Sequence, residues 1–215
     1  LFAGYNKHRA ALRAQQTGLI NTFIKAALPA LNLLPKSRHS KWGNLFRQAQ
    51  RYSTGLQLTR AERYWQWCTL TGEEQVLRML ADKKRVNETE LQRRKQQVTR
   101  LVTEQGDLND MLLADMHMVL PDDMLTKVDL MSMANSLEVR VPLLDYTVVD
   151  YAFSLPQQYK IEPGNGKKIL KDAFRDELPQ ELFNRPKHGF EVPLLKWMRT
   201  GLRSLIEEQL LERKF

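Results

Sequence analysis

The chain has 215 residues, of which 42% are hydrophobic and 27% charged, with a formal net charge of +8. That composition is globular and long enough for one large domain or two small ones. It excludes an internal disulfide, since there is one cysteine, and it contains neither an apolar run near the ~20 residues of a membrane span nor a charged-then-apolar leader.

In chain order, Leu19, Ile20, Phe23, Ile24, Ala27 and Leu28 recur on one helical face until Pro29 interrupts them. Residues 35–57 read as loop-rich and form the softest boundary. "TRAE" (59–62) and "TGEE" (71–74) have the capping-box pattern, each ahead of an apolar period. Between them "YWQWCTL" sets Cys68 among aromatics, which predicts a packed core thiol and fits a reducing, cytoplasmic setting. His8, His39, His117 and His188 show no paired ligand spacing, so no protein-built zinc site is expected.

The basic run "DKKRVNETELQRRKQQ" (82–97) could attract nucleic acid or an acidic protein. No aromatics interleave with its charges and no nucleic-acid motif surrounds it, so the solvated face of a helix is the plainer reading. Within it "NETE" caps a polar helix whose inner face is Leu91, Val98, Leu101 and Val102. Asp107 caps "LNDMLLADMHMVL", and Pro121 sits in the first turn of the next helix, where its missing N–H costs nothing. "LEVRVPLLDY" then alternates apolar and charged residues, with Val141 held extended by Pro142. Asp145 caps "YTVVDYAFSL", "PGNG" (163–166) marks a turn into "KKILKDAFRDEL", and Pro193 opens a final helix carrying Leu194, Leu195, Met198, Leu202, Leu205 and Ile206. The pattern is mainly α, about nine helices with no convincing set of strands.

Four stretches carry more chemistry than their structure requires. In "LPDDMLTKVDLMSMANSLEVR", Asp122 and Asp123 suit a helix N-terminus, and Asp123 can pair with Lys127 four residues on. Lys127 and Asp129 lie among Val128, Leu130 and Met131, where charges are expected to be paired. Glu138 and Arg140 share one face of an extended segment and are expected to form a buried pair, whose loss would cost roughly 3–5 kcal/mol. Structural support and substrate contact both remain open for it. Lys167 and Lys168 fall at a helix start, against the dipole, a conflict that an acidic neighbour or a bound anion would relieve. In "NRPKHGFEVPLLKW", Pro186 and Gly189 brace Lys187, with Phe190 and Pro193 beyond. Such a cation suits a phosphate or a developing oxyanion, although a loop lysine has the same appearance.

Taken in order, "LPDDMLTKVDLMSMANSLEVRVPLLD", "GNGKKILKDAF", "LPQELFNRPKHGF" and "VPLLKW" resemble successive signatures of the synthetase domain of glutamine-dependent asparagine synthetases. "LFAGYNKHR" resembles that family's segment after an acidic metal-binding loop, while 35–105 matches only as helical filler. The resemblance implies the helical C-terminal half of an α/β adenine-nucleotide-hydrolase-like domain, spanning 1–215, whose parallel sheet lies upstream. A start at Leu1 within what reads as mid-element sequence suggests a piece of a longer protein. The family's Ser-Gly-Gly-x-Asp-Ser pyrophosphatase loop and its glutaminase domain are not found, so the chain alone is expected to be inactive.

The implied chemistry is adenylylation of the aspartate side-chain carboxylate by ATP, with Mg2+ on the phosphates, followed by displacement of AMP by glutamine-derived ammonia. Lys187 would stabilise the charge developing in that reaction, and Asp123 or Asp122 would lie near the reacting groups. Lys127, Asp129, Glu138, Arg140, Lys167 and Lys168 would be substrate-proximal or supporting, with no metal ligand in this stretch. The expected partners are ATP, aspartate or another carboxylic acid, and ammonia from a glutaminase domain, with a homodimer in the longer form and neither nucleic acid nor membrane. A related synthetase amidating another carboxylate, or a basic helical module binding nucleic acid or protein, are the alternatives.

Overall fold

The computed structural model describes residues 1–16, 18–34, 40–80, 87–184 and 192–211. The chain divides into two compact units, Leu1–Ala173 and Phe174–Phe215.

The first unit is helical, as the periodicity predicts. It begins with α1 (Asn6–Gln15), α2 (Leu19–Ala26) and α3 (Leu28–Leu33), which takes Pro29 in its first turn. Residues 40–57, read as loop, are instead the long helix α4 (Lys41–Leu56), while 35–39 lie outside the described residues. The Ser40 side chain supplies its cap, accepting from the Gly43 N–H at 2.9 Å. α5 (Arg60–Cys68) starts with the capping box that "TRAE" predicts, Thr59 and Glu62 each satisfying the other's backbone N–H.

"TGEE" behaves otherwise. The cap of α6 (Glu73–Met79) is Gly72, with no side-chain cap bond. Glu74, the residue three after Thr71, pairs instead with Arg78 Nη2 at 2.5 Å, while Glu73 accepts from Trp65 Nε1 at 2.8 Å and Lys95 Nζ at 2.9 Å. α7 (Glu88–Thr99) and α8 (Leu108–His117) are capped by Asn87 and Asp107 as expected.

Leu108, Met111 and Leu112 recur at helical spacing and put one face of α8 into the core, with Tyr64, Val102, Ala11, Ala3 and Ile161 around them. The expected α2 stripe is not buried. Leu19, Ile20 and Phe23 are exposed, because α2 meets α4 through Asn21 and Ile24. Tyr52 donates to Asn21 Oδ1 at 3.0 Å and Ser53 to the Ile24 carbonyl at 2.7 Å.

Beyond α8 the chain enters a π-helical turn, Leu120–Leu125, and runs straight into α9 (Thr126–Met133). A 3-10 turn, Pro142–Leu144, leads to α10 (Tyr146–Ser154), capped by Asp145, and then α11 (Gln157–Lys160). The "PGNG" turn is a small antiparallel hairpin, β1 (Ile161–Glu162) and β2 (Asn165–Gly166), with Ile161 opposite Gly166. Gly164 at its tip has φ 83°, a left-handed conformation that glycine adopts without penalty. α12 (Lys168–Ala173) closes the unit.

The second unit contains α13 (Glu181–Asn184), α14 (Leu194–Arg199), α15 (Arg203–Ile206) and a π-helical turn, Glu207–Leu211. The single final helix expected after Pro193 is thus broken at 200–202, where the Leu202 N–H reaches back to the Trp197 carbonyl at 2.8 Å. Gly201 and the β-branched Thr200 favour that interruption. Breaks of this kind raise the number of helices above the expected nine by shortening them.

Candidate functional site

Asp122 and Asp123 project from the π-helical turn and are exposed. Pro121 enters this turn without needing a donor, and Thr126 Oγ1 closes it by donating to the Pro121 carbonyl at 2.6 Å. Asp123 Oδ1 accepts from Lys127 Nζ at 3.2 Å, one helical turn on, as their spacing predicts. Asp129 lines a cleft of about 410 Å³ whose other walls include Pro121, Val139 and Val141, so the acidic turn and the "EVRV" segment face a shared space.

Two expectations about burial are overturned here. The Glu138–Arg140 pair exists at 2.6 Å, but its side chains are 69% and 85% exposed. An exposed pair contributes about 0–1 kcal/mol, so the larger loss expected for a buried pair does not apply. Lys127 and Asp129 are likewise not enclosed, since Val128, Leu130 and Met131 are themselves exposed. Sequence neighbours set the apolar company of these charges, but only packing removes water from them, and none of the described residues covers this face of α9.

Of the lysines of "GNGKK", Lys167 is held by the chain's first residues and Lys168 by its own helix. The Lys167 N–H donates to the Phe2 carbonyl at 3.0 Å, and Lys167 adopts φ 57°. A Cβ on Gly166 would come within 2.5 Å of the Ala3 carbonyl oxygen, so only glycine allows this approach. Lys168 Nζ meets Asp172 Oδ2 at 2.5 Å, one turn along α12, an acidic neighbour that relieves its conflict with the dipole. The structure therefore brings "LFAGY" and "GNGKK" together. Lys187, with Pro186, Gly189 and Phe190, lies outside the described residues.

A buried polar cluster beneath α1 was not foreseen. Asp115, on the core side of α8, accepts from Lys7 Nζ at 2.5 Å and the Tyr64 hydroxyl at 2.8 Å through Oδ1, and from His8 Nε2 at 2.8 Å through Oδ2. His8 Nδ1 accepts from the Tyr5 N–H at 3.3 Å, which leaves its proton on Nε2 and makes the neutral ring the donor to Asp115. Burial lowers the His8 pKa against the pull of Asp115.

Burial also works against the Asp115 charge, but the bond from His8 and the charge of Lys7 outweigh it and hold the carboxyl below its usual range. Burial raises Tyr64, assisted by the Asp115 charge, and raises Cys68, whose sulfur accepts from Lys7 Nζ at 3.2 Å. Cys68 packs against the core, as its aromatic setting predicts. Lys160, fully buried, donates to Asn109 Oδ1 at 2.6 Å and is pushed down to about 8 by burial. The available signal was Asp115 itself, a carboxylate in the apolar "LLADM" run at helical spacing from Met111 and Leu112.

Mg2+ would need oxygen ligands from carboxylates. Among the described residues no group of three or more His, Cys, Asp or Glu side chains could hold a metal, and the Asp123 carboxylate is engaged by Lys127. The described residues do not make a magnesium site.

The asparagine synthase family model matches residues 1–215, and the chain belongs to that family. It is 39% identical over 107 residues to the glutamine-hydrolyzing asparagine synthetase 1 of Bacillus subtilis (strain 168), covering 48% of this chain and 17% of that protein. The glutamine-hydrolyzing asparagine synthetase 3 of the same strain is 30% identical over 102 residues, covering 43% and 17%. That of Cricetulus griseus is 41% identical over 68 residues, covering 30% and 12%. The matched region is thus under a fifth of each of these relatives. No solved structure matches the chain.

Proposed function

We propose that this chain is the helical part of a synthetase domain in an ATP-dependent amidotransferase that makes asparagine. In this reading ATP adenylylates the aspartate side-chain carboxylate with release of pyrophosphate, and glutamine-derived ammonia displaces AMP. The observation that carries it is the family match over all 215 residues, which takes in every signature stretch.

Lys187 is the residue we assign to stabilising charge at the reacting phosphoryl and carboxyl groups, with Asp123 or Asp122 near them. The support is chemical: a proline-flanked cation is preorganised, and the two aspartates stand in water-accessible positions where a substrate can reach them. Asp129 lines the cleft beside the acidic turn, and Glu138 and Arg140 form an exposed pair on the segment whose Val139 and Val141 line it too, so all three fit supporting roles.

The basic-module reading has weaker support. Of the positive charges in α7, Arg93 and Arg94 are engaged by Glu90, and Lys95 by Glu73 with its ammonium over the Trp65 ring. Charges so compensated suit a solvated helix face better than a phosphate backbone.

The test is aspartate-dependent exchange of pyrophosphate into ATP, run with a panel of carboxylic acids. A protein that joins this chain to a relative's pyrophosphatase and glutaminase domains should show it, and Lys187→Ala should lower it by roughly 100-fold or more. The 215-residue chain alone should show none. Exchange that is independent of Lys187, or pyrophosphate release by the chain alone, would defeat this assignment.

A further inference from the structure

A concavity of about 670 Å³ lies in the first unit between α1, the α2–α3 pair, α4 and the end of α5. Its charged lining is of one sign. Lys7, Arg9 and Arg13 come from α1, Arg47 and Arg51 from α4, and no Asp or Glu among the described residues lines it. The spacings 9/13 and 47/51 each set two guanidinium groups on one helix face, so two helices present cations to one space.

Lys7 is compensated by Asp115 at 2.5 Å. Arg9, Arg13 and Arg51 have no carboxylate within ion-pair distance among the described residues. Arg51 Nη2 donates to the carbonyls of Gln66 at 2.8 Å and Thr69 at 2.9 Å, and Arg47 Nη2 to Asn44 Oδ1 at 2.8 Å. Bonds to neutral carbonyl oxygens aim the Arg51 guanidinium without cancelling its charge.

Apart from Asn6 and Gln48, the rest of the lining is aliphatic or aromatic. Ile24, Ala27, Leu31, Leu45 and Ala49 form an aliphatic wall. Tyr52 stacks on Trp67 at one side, with ring centroids 6.0 Å apart and planes 14° apart.

Uncompensated like charges beside an aliphatic wall match a ligand with one anionic end and one apolar end. The volume is in the range that encloses such a molecule, roughly 300–1,000 Å³. We propose that this cleft binds an amphipathic organic anion, a carboxylate or phosphate head on an aliphatic body. The head lies among Arg9, Arg13 and Arg51, and the body lies against Ile24, Leu31 and Leu45. The proposal is independent of the synthetase reading and survives if that reading fails.

Calorimetric titration of the 215-residue chain with decanoate, decyl phosphate, decanol and inorganic phosphate, all below micelle-forming concentrations, tests it. At least one decyl anion should bind at one site, with the tighter of the two identifying the head group. Decanol and inorganic phosphate, each offering one half of the ligand, should bind more weakly by roughly tenfold or more. The double variant R9E/R13E should lose a similar factor. Arg9 and Arg13 are exposed, so the variant should keep the wild-type melting profile. L45D, at a half-exposed wall position, should weaken the same anions. The proposal is overturned if neither decyl anion binds, if decanol binds as tightly, or if a folded R9E/R13E binds unchanged.

Discussion

Asp115 shows how much one side chain can depend on its neighbours. Three donors reach its carboxylate in a setting from which water is largely excluded, and one of them, Lys7, carries a full charge. Removing the carboxylate strands that ammonium beneath α1. Asp115→Ala should therefore lower unfolding free energy by roughly 3–5 kcal/mol in urea titrations. A loss below about 1 kcal/mol, the value of a surface pair, would show that the cluster is solvated.

His8 adds a pH dependence. Its pKa in the folded chain is below the ordinary 6.5, so the unfolded chain takes up the proton first as pH falls. The stabilising contribution of the neutral ring is therefore complete above pH 6.5 and is lost as pH drops from there towards the lowered folded value. The urea midpoint should be lower at pH 5.5 than at pH 7.5, and His8→Asn should shrink the difference. Equal midpoints at the two pH values would contradict the neutral-donor assignment.

Among the elements, α4 gives the sharpest case. Gly55 lies within its last turn, and glycine to alanine in a helix ordinarily stabilises by about 1 kcal/mol. Here a Cβ would come within 2.7 Å of Trp67 Nε1 and 2.9 Å of its Cε2. That ring is fixed by stacking on Tyr52 and by donating to the Arg51 carbonyl at 3.3 Å. Overpacking costs roughly 1–3 kcal/mol and should win. Gly55→Ala is thus expected to lower the melting temperature, and a rise would mean that the indole moves freely.

Element starts at Thr59, Asn87, Asp107 and Asp145 were legible because a cap is a local arrangement of side chain and N–H. Thr71 was misread because Glu74, three residues on, pairs with Arg78 along α6 rather than turning back to a cap N–H, and the helix is capped one residue later by Gly72. α4 was missed because its glycines and polar residues hide a helix that Ser40 starts and that packing against α2, α3 and α5 maintains.

For the whole molecule, the core residues Ala3, Ala11, Tyr64, Val102, Leu108, Met111, Leu112, Ala114 and Ile161 all belong to Leu1–Ala173. A chain ending at residue 173 should therefore keep a cooperative urea transition and its near-ultraviolet dichroism. Loss of that transition would show that residues 174–215 are needed to hold the core.

The sequence by itself determined the mainly helical class, most of the caps, the turn at Gly164 and the family. Each depends on a period, a local hydrogen bond or an ordered motif that needs no distant partner. Only the tertiary structure decided which charges are buried. It enclosed Asp115 and Lys160, which attracted no notice, and left Glu138 and Arg140 in water. It also joined Arg9 and Arg13 to Arg47 and Arg51 around one cleft. Burial is set by what other segments place over a residue, and neighbours along the chain do not carry that information.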